Sequence, residues 1–135
     1  VDPEIGRLGD IDSAMLTLRA ASGALVHINN SRRATYGYDQ RAEAFGEKGM
    51  LQAGNRRATT VTSWGGERTD AADPLLDFFI ERYREAYDAE IDHFVDCVEK
   101  GTKPSVGFRD GREALRLADA AYESLKTGRA VRLDA

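Results

Sequence analysis

The 135-residue chain carries 19 basic and 23 acidic side chains, a formal net charge of −4, and is 41% hydrophobic and 31% charged. That supplies apolar material for one folded domain and is too apolar for a disordered chain. The arginines are interleaved with acids, so nothing favours nucleic acid or an anionic membrane, and no apolar run nears the roughly 20 residues that span a bilayer.

The opening Val1-Asp2-Pro3-Glu4 is polar, shows neither helix nor strand period, and reads as a cut within a connection. No signal-peptide pattern is visible. Ala14 to Arg19 then alternates, with Ala14, Leu16 and Leu18 on one face, which predicts a strand with one buried side. Ala21-Ser22-Gly23 is a turn, and Ala24 to Asn30 alternates again, completing an antiparallel hairpin. Tyr38 to Phe45 reads as a third strand, Met50 to Ala53 as a fourth and Ala58 to Trp64 as a fifth, with a short edge strand over Glu67 to Thr69.

The period then changes to that of a helix. Asp73-Pro74 is an N-cap and first-turn signal, and Leu76, Ile80, Tyr83, Tyr87, Ile91, Phe94 and Val98 follow at spacings of three and four up to Gly101. A second helix is expected from near Asp110 to Gly128, with a stripe of Leu115, Ala118, Tyr122 and Leu125, and a last short strand over Ala130 to Leu133. Strands followed by helices predict an α+β fold: an open, mainly antiparallel sheet of five or six strands with two helices packed on one face. The other face requires a cover, either another domain or a second subunit.

The chain carries few motifs of known chemistry. No Gly-x-Gly-x-x-Gly run and no phosphate-binding loop exists, so no cofactor-binding residue is assigned. His93 and Cys97 sit four apart on one helix face but lack further ligands of familiar spacing, so no metal site is assigned, and His93 is expected to be solvent-facing or hydrogen-bonded. Cys97 is the sole cysteine, which excludes an internal disulfide; it reads as a buried, inert thiol suited to a reducing cytoplasm. Ser31 lacks the motif of a nucleophile.

The segment Tyr36-Gly37-Tyr38-Asp39 is the best local candidate. Gly37 permits a bulge or a close backbone approach. A phenol offers an apolar face and one directional polar handle, which suits a polyol. Equally, both tyrosines can pack against the long helix with their hydroxyls at the rim. Tyr83 and Tyr87, an i, i+4 pair, read first as core packing, and Arg82 beside them can reach a sheet edge or a partner chain.

The run Thr35-Tyr36-Gly37-Tyr38-Asp39-Gln40-Arg41-Ala42-Glu43-Ala44-Phe45-Gly46-Glu47-Lys48-Gly49 resembles the inositol 2-dehydrogenase branch of the glucose–fructose oxidoreductase/inositol dehydrogenase/rhizopine catabolism family. Arg82 to Phe94 and Pro104 to Gly111 are similar to later segments of that family. The resemblance implies that residues 1–135 form one C-terminal substrate-binding and oligomerisation domain. An N-terminal Rossmann domain that holds NAD would then lie outside this chain. It implies a cytoplasmic NAD-dependent dehydrogenase of a cyclic polyol, assembled as a homo-oligomer through the sheet face. It further implies that Tyr38, more weakly Tyr36, and Tyr87 line the substrate site.

The family's Glu-Lys-Pro run is missing: Glu47-Lys48 and Glu99-Lys100 are each followed by Gly. Its catalytic Asp-x-x-x-His pair has no counterpart here, and Asp88 and Asp92 do not replace it. No catalytic residue is therefore assigned, and the isolated fragment is expected to be inactive. The competing expectation is a non-enzymatic self-association module whose open sheet face is only an interface.

Overall fold

The computed structural model describes residues 2–133 and contains, in chain order, α1 (Pro3–Arg7), β1 (Ser13–Arg19), β2 (Leu25–Ser31), β3 (Ala42–Gly46), β4 (Gly49–Ala53), β5 (Thr62–Ser63), β6 (Ala71–Ala72), α2 (Phe79–Lys100) and α3 (Phe108–Thr127). Helices and antiparallel strands make this an α+β chain. Among the described residues the strands pair as three two-stranded ladders, β1–β2, β3–β4 and β5–β6. The chain divides into two compact units: Ala14 and the residues before it with Asn29–Asp88, and Met15–Ile28 with the residues from Ala89 onward.

The first unit holds β3 and β4, in register from Ala42↔Ala53 to Gly46↔Gly49 around the two-residue loop Glu47-Lys48. Alternation across this register leaves Ala42, Ala44, Leu51 and Ala53 on one side and Glu43, Phe45, Met50 and Gln52 on the other. Both strands are exposed along their length, Phe45 at 85% and Leu51 at 77%. The third strand starts at Ala42 rather than Tyr38, and the fifth shrinks to Thr62–Ser63, paired with Ala71–Ala72. The expected edge strand over 67–69 lies instead at Ala71–Ala72.

Two helix starts are exchanged relative to expectation. Asp2 does cap a helix: its Oδ1 accepts the Glu4 N–H at 2.9 Å and Pro3 occupies the first turn of α1. Asp73-Pro74 does not, and α2 begins only at Phe79. Residues 73–76 stay outside the helix because other segments take their backbone. Leu76 N–H donates to Arg56 O at 3.1 Å, Tyr38 N–H donates to Leu76 O at 2.8 Å, and Leu75 bridges Arg57.

In the second unit, α2 ends at Gly101 (φ 62°), where Thr102 N–H returns to Cys97 O at 3.0 Å, the left-handed C-terminal closure expected of glycine. Asp110 Oδ2 accepts Gly107 N–H at 2.7 Å at the start of α3, and Gly128 (φ 66°) closes its end through Ser124 O. Cys97 is buried, at 6% exposure. His93 Nε2 accepts the Ser105 N–H at 3.1 Å, which ties the loop after α2 back to the helix. The expected α3 stripe is largely exposed at Leu115, Tyr122 and Leu125, and residues 130–133 form no strand. No helix among the described residues is long and apolar enough to cross a membrane.

Candidate functional site

Gly37 lies at the centre of the tyrosine segment and fixes its path. Its φ of +116° is open to glycine and rare for other residues. A Cβ there would stand 2.7 Å from Leu75 Cβ, 3.1 Å from Leu75 O and 3.2 Å from Leu76 O. The backbone of 36–38 therefore lies directly on that of 75–76, and the hydrogen bond from Tyr38 N–H to Leu76 O seals the contact. The close approach expected of this glycine is present, but residues 38–41 lie outside any strand.

That path sends the two flanking tyrosines to different surroundings. Tyr38 is half-buried, with its ring edge-on to Tyr83 at 5.6 Å between centroids; Tyr83 is in turn edge-on to Tyr87 at 6.1 Å. The Arg82 guanidinium carbon sits 5.5 Å from the Tyr83 ring centre, and Arg82 Nε is buried without a hydrogen-bond partner. The neighbouring Tyr83 phenol, followed by loss of hydration, holds the Tyr38 phenol above its ordinary range. Tyr38 and Tyr87 are thus joined through Tyr83, which the helical period marks as packing.

Tyr36 stands apart, 60% exposed, with its hydroxyl donating to Asp39 Oδ2 at 2.5 Å. Asp39 also accepts Arg41 Nε at 2.8 Å, Arg41 Nη2 at 2.9 Å and Asn55 Nδ2 at 2.8 Å. Arg41 first, then Tyr36 and Asn55, hold the Asp39 carboxyl well below the usual carboxylate range. Reciprocally, Asp39 raises both the Tyr36 phenol and the Arg41 guanidinium. These side chains, with Arg57 and Leu75, line an open depression.

Asp39, Arg41 and Asn55 carry no role in the sequence reading. Asp39 and Arg41 sit two apart on one face of the expected strand, a visible hint of an ion pair. The Asn55 contact spans 16 residues and leaves no local signal. Among the described residues no cluster of three or more His, Cys, Asp or Glu is placed to hold a metal. Nor do they fit a dinucleotide: the ladders β3–β4 and β5–β6 are antiparallel, and no helix N-terminus follows a Gly-x-Gly-x-x-Gly turn.

A family model described as "Oxidoreductase family, C-terminal alpha/beta domain" matches residues 2–133. The myo-inositol 2-dehydrogenase of Thermotoga maritima is 49% identical over 134 residues, which make up 99% of this chain and 40% of that protein. The crystal structure of a myo-inositol dehydrogenase from Corynebacterium glutamicum superposes with a TM-score of 0.93 at 48% identity, over 100% of this chain and 40% of that one. The myo-inositol dehydrogenase from Lactobacillus casei, in complex with NAD(H) and myo-inositol, superposes with a TM-score of 0.78 at 29% identity, over 93% of this chain and 37% of that one. The chain therefore spans 40% of the length of the Thermotoga and Corynebacterium proteins. Matched from end to end of its described residues, it belongs to the glucose–fructose oxidoreductase/inositol dehydrogenase/rhizopine catabolism family, as the C-terminal alpha/beta domain of that oxidoreductase fold.

Proposed function

We propose that this chain is the substrate-binding and assembly domain of a cytoplasmic inositol 2-dehydrogenase, which oxidises a cyclic polyol by passing hydride to NAD. In this reading residues 1–135 are one C-terminal domain, and the nicotinamide cofactor and the proton-transfer groups belong to a Rossmann domain elsewhere in the polypeptide. The chain alone does not turn over. The observation that carries the reading is the placement of Tyr38: glycine-enforced backbone contact holds its ring edge-on to Tyr83, which in turn meets Tyr87 edge-on and carries the Arg82 guanidinium over its face. Such a group of directional donors matches a ligand rich in hydroxyls, since each hydroxyl needs an aligned partner. The likeness to a Lactobacillus casei enzyme bound to myo-inositol supports the same substrate class. Tyr38 and Tyr87 touch the polyol; Tyr36 borders the site through Asp39.

The exposed apolar sides support the assembly role. Ala42, Ala44, Leu51 and Ala53 make one side of β3–β4 wholly apolar and solvent-facing, a surface that homo-oligomers bury. We further propose that the ladders extend there into the open sheet that the sequence predicts.

The test is NADH formation by the full-length protein on myo-inositol, with Tyr38→Phe beside it. Removing one hydroxyl contact costs about 1 kcal/mol, which raises KM about fivefold. Absence of turnover on cyclic polyols, or an unchanged KM in the variant with assembly lost, overturns the substrate reading in favour of a pure interface.

A further inference from the structure

Resting on the reading of Tyr38 above, we propose that Asp39 is a positioning residue, whose carboxylate clamps the Tyr36–Arg41 segment so that Tyr38 is presented to the polyol in one orientation.

A carboxylate offers about four acceptor sites. Asp39 fills them symmetrically: Oδ1 takes Arg41 Nε and Asn55 Nδ2, and Oδ2 takes Tyr36 Oη and Arg41 Nη2, all between 2.5 and 2.9 Å. Two of the donor residues flank Tyr38 in sequence, Tyr36 on one side and Arg41 on the other. The third, Asn55, follows β4 and also accepts the Gln40 N–H through Oδ1 at 2.8 Å. The segment is thereby closed on itself and pinned to a distant stretch of chain. Between these pins Gly37 lies on Leu75, and Tyr38 N–H is held by Leu76 O. With the backbone fixed on both sides, the Tyr38 ring keeps its edge-on contact with Tyr83. Asp39 lines the depression bordered by Tyr36, and its four donors come from Tyr36, Arg41 and Asn55 rather than from Tyr38, so its influence on Tyr38 passes through the backbone.

The geometry sets the Arg41–Asp39 pair apart from an ordinary surface ion pair. Two parallel N–H bonds to one carboxylate give it directional specificity, and Asp39 is only 14% exposed although Arg41 is 67% exposed. A solvated charge would serve solubility without four simultaneous donors.

The test is a double-mutant cycle in the full-length enzyme using Asp39→Ala and Tyr38→Phe, with Asp39→Asn as the variant that keeps the shape and one acceptor oxygen. Asp39→Ala is expected to raise the KM for myo-inositol about fivefold with kcat within about twofold, the mark of lost binding rather than lost chemistry. Asp39→Asn falls between it and the parent. Added to Tyr38→Phe, Asp39→Ala brings no further rise, because its effect passes through the phenol already removed. Hydrogen exchange of the Tyr38 amide, slow in the parent, becomes faster in Asp39→Ala and less so in Asp39→Asn. Additive effects on KM, or parent-like protection of the Tyr38 amide in Asp39→Ala, overturn the positioning role. A parent-like KM for Tyr38→Phe overturns the substrate reading and the positioning role with it, while the exchange rates still report separately whether the clamp exists. If Asp39→Ala does not fold, the same comparisons made with Asp39→Asn decide the matter.

Discussion

Replacing Gly37 by alanine tests the geometry on which the site is built. Two costs combine there. Alanine at a φ of +116° is held in a sparsely populated backbone region, at about 1–3 kcal/mol. Its Cβ also meets Leu75 Cβ at 2.7 Å and two carbonyl oxygens at 3.1 and 3.2 Å, and backbone cannot step aside as the end of a flexible side chain can. Overpacking of that kind costs about 1–3 kcal/mol more. A combined loss near 4 kcal/mol, divided by a urea slope of about 2 kcal/mol/M, lowers the unfolding midpoint by about 2 M.

The sole tryptophan, Trp64, lies in the same unit and reports that transition by fluorescence. Two controls separate the costs. Gly49 has a φ of +136° with nothing near its missing Cβ, so Gly49→Ala carries the backbone cost alone. Gly46 has neither feature, and Gly46→Ala shifts stability by no more than about 0.5 kcal/mol. A Gly37→Ala midpoint equal to that of Gly49→Ala would refute the claim that close contact with residues 75–76 fixes the tyrosine segment.

The other predictions concern charge and assembly. The native Asp39 carboxyl titrates below its unfolded value of about 4, so its contribution is complete above that pH and is lost as pH falls through the native value. Asp39→Asn should therefore flatten the acid limb of a stability–pH curve and leave pH 5 to 8 level; an unchanged acid limb contradicts it. The native Tyr36 phenol titrates above about 10, so its contribution holds below that pH and fades as pH rises through the native value. In Asp39→Asn the phenolate absorbance step assigned to Tyr36 should move down toward 10, and a fixed step would show that Asp39 is not its cause. Leu51 is 77% exposed on the apolar side of β3–β4, so Leu51→Lys should leave the fold within about 0.5 kcal/mol yet dissociate the proposed homo-oligomer in sedimentation. Intact assembly would remove that side from the interface.

Local patterns were readable where the structure obeys local rules. β1 keeps Ala14, Leu16 and Leu18 on its less exposed side, as strict alternation dictates. The Gly46↔Gly49 hairpin sits where its turn residues place it. Gly101 and Gly128 end their helices with the left-handed backbone that glycine supplies. Misreadings arise where distant backbone competes for the same groups. Asp2-Pro3 and Asp73-Pro74 are the same dipeptide, yet only the first starts a helix. After Asp73-Pro74, the Arg56 carbonyl and the Tyr38 amide capture Leu76, and Arg57 pairs with Leu75. Those partners lie 18 to 38 positions upstream, so no window around Pro74 reveals them.

The same competition explains why the candidate site was half legible. Tyr36 and Tyr38 differ by two positions, so in an uninterrupted strand both would face one way. Gly37 breaks that rule because residues 75–76 occupy the space any larger residue would need. One phenol then joins the ring cluster of α2, and the other is consumed by Asp39. Composition and spacing identify the aromatic pair, but only the approach of Leu75 and Leu76 divides its labour. A chain with the same tyrosines and an unobstructed Gly37 would have no reason to separate them. The site is therefore specified as much by the segment before α2, which carries no recognisable motif, as by the Tyr-Gly-Tyr-Asp run that draws attention to it.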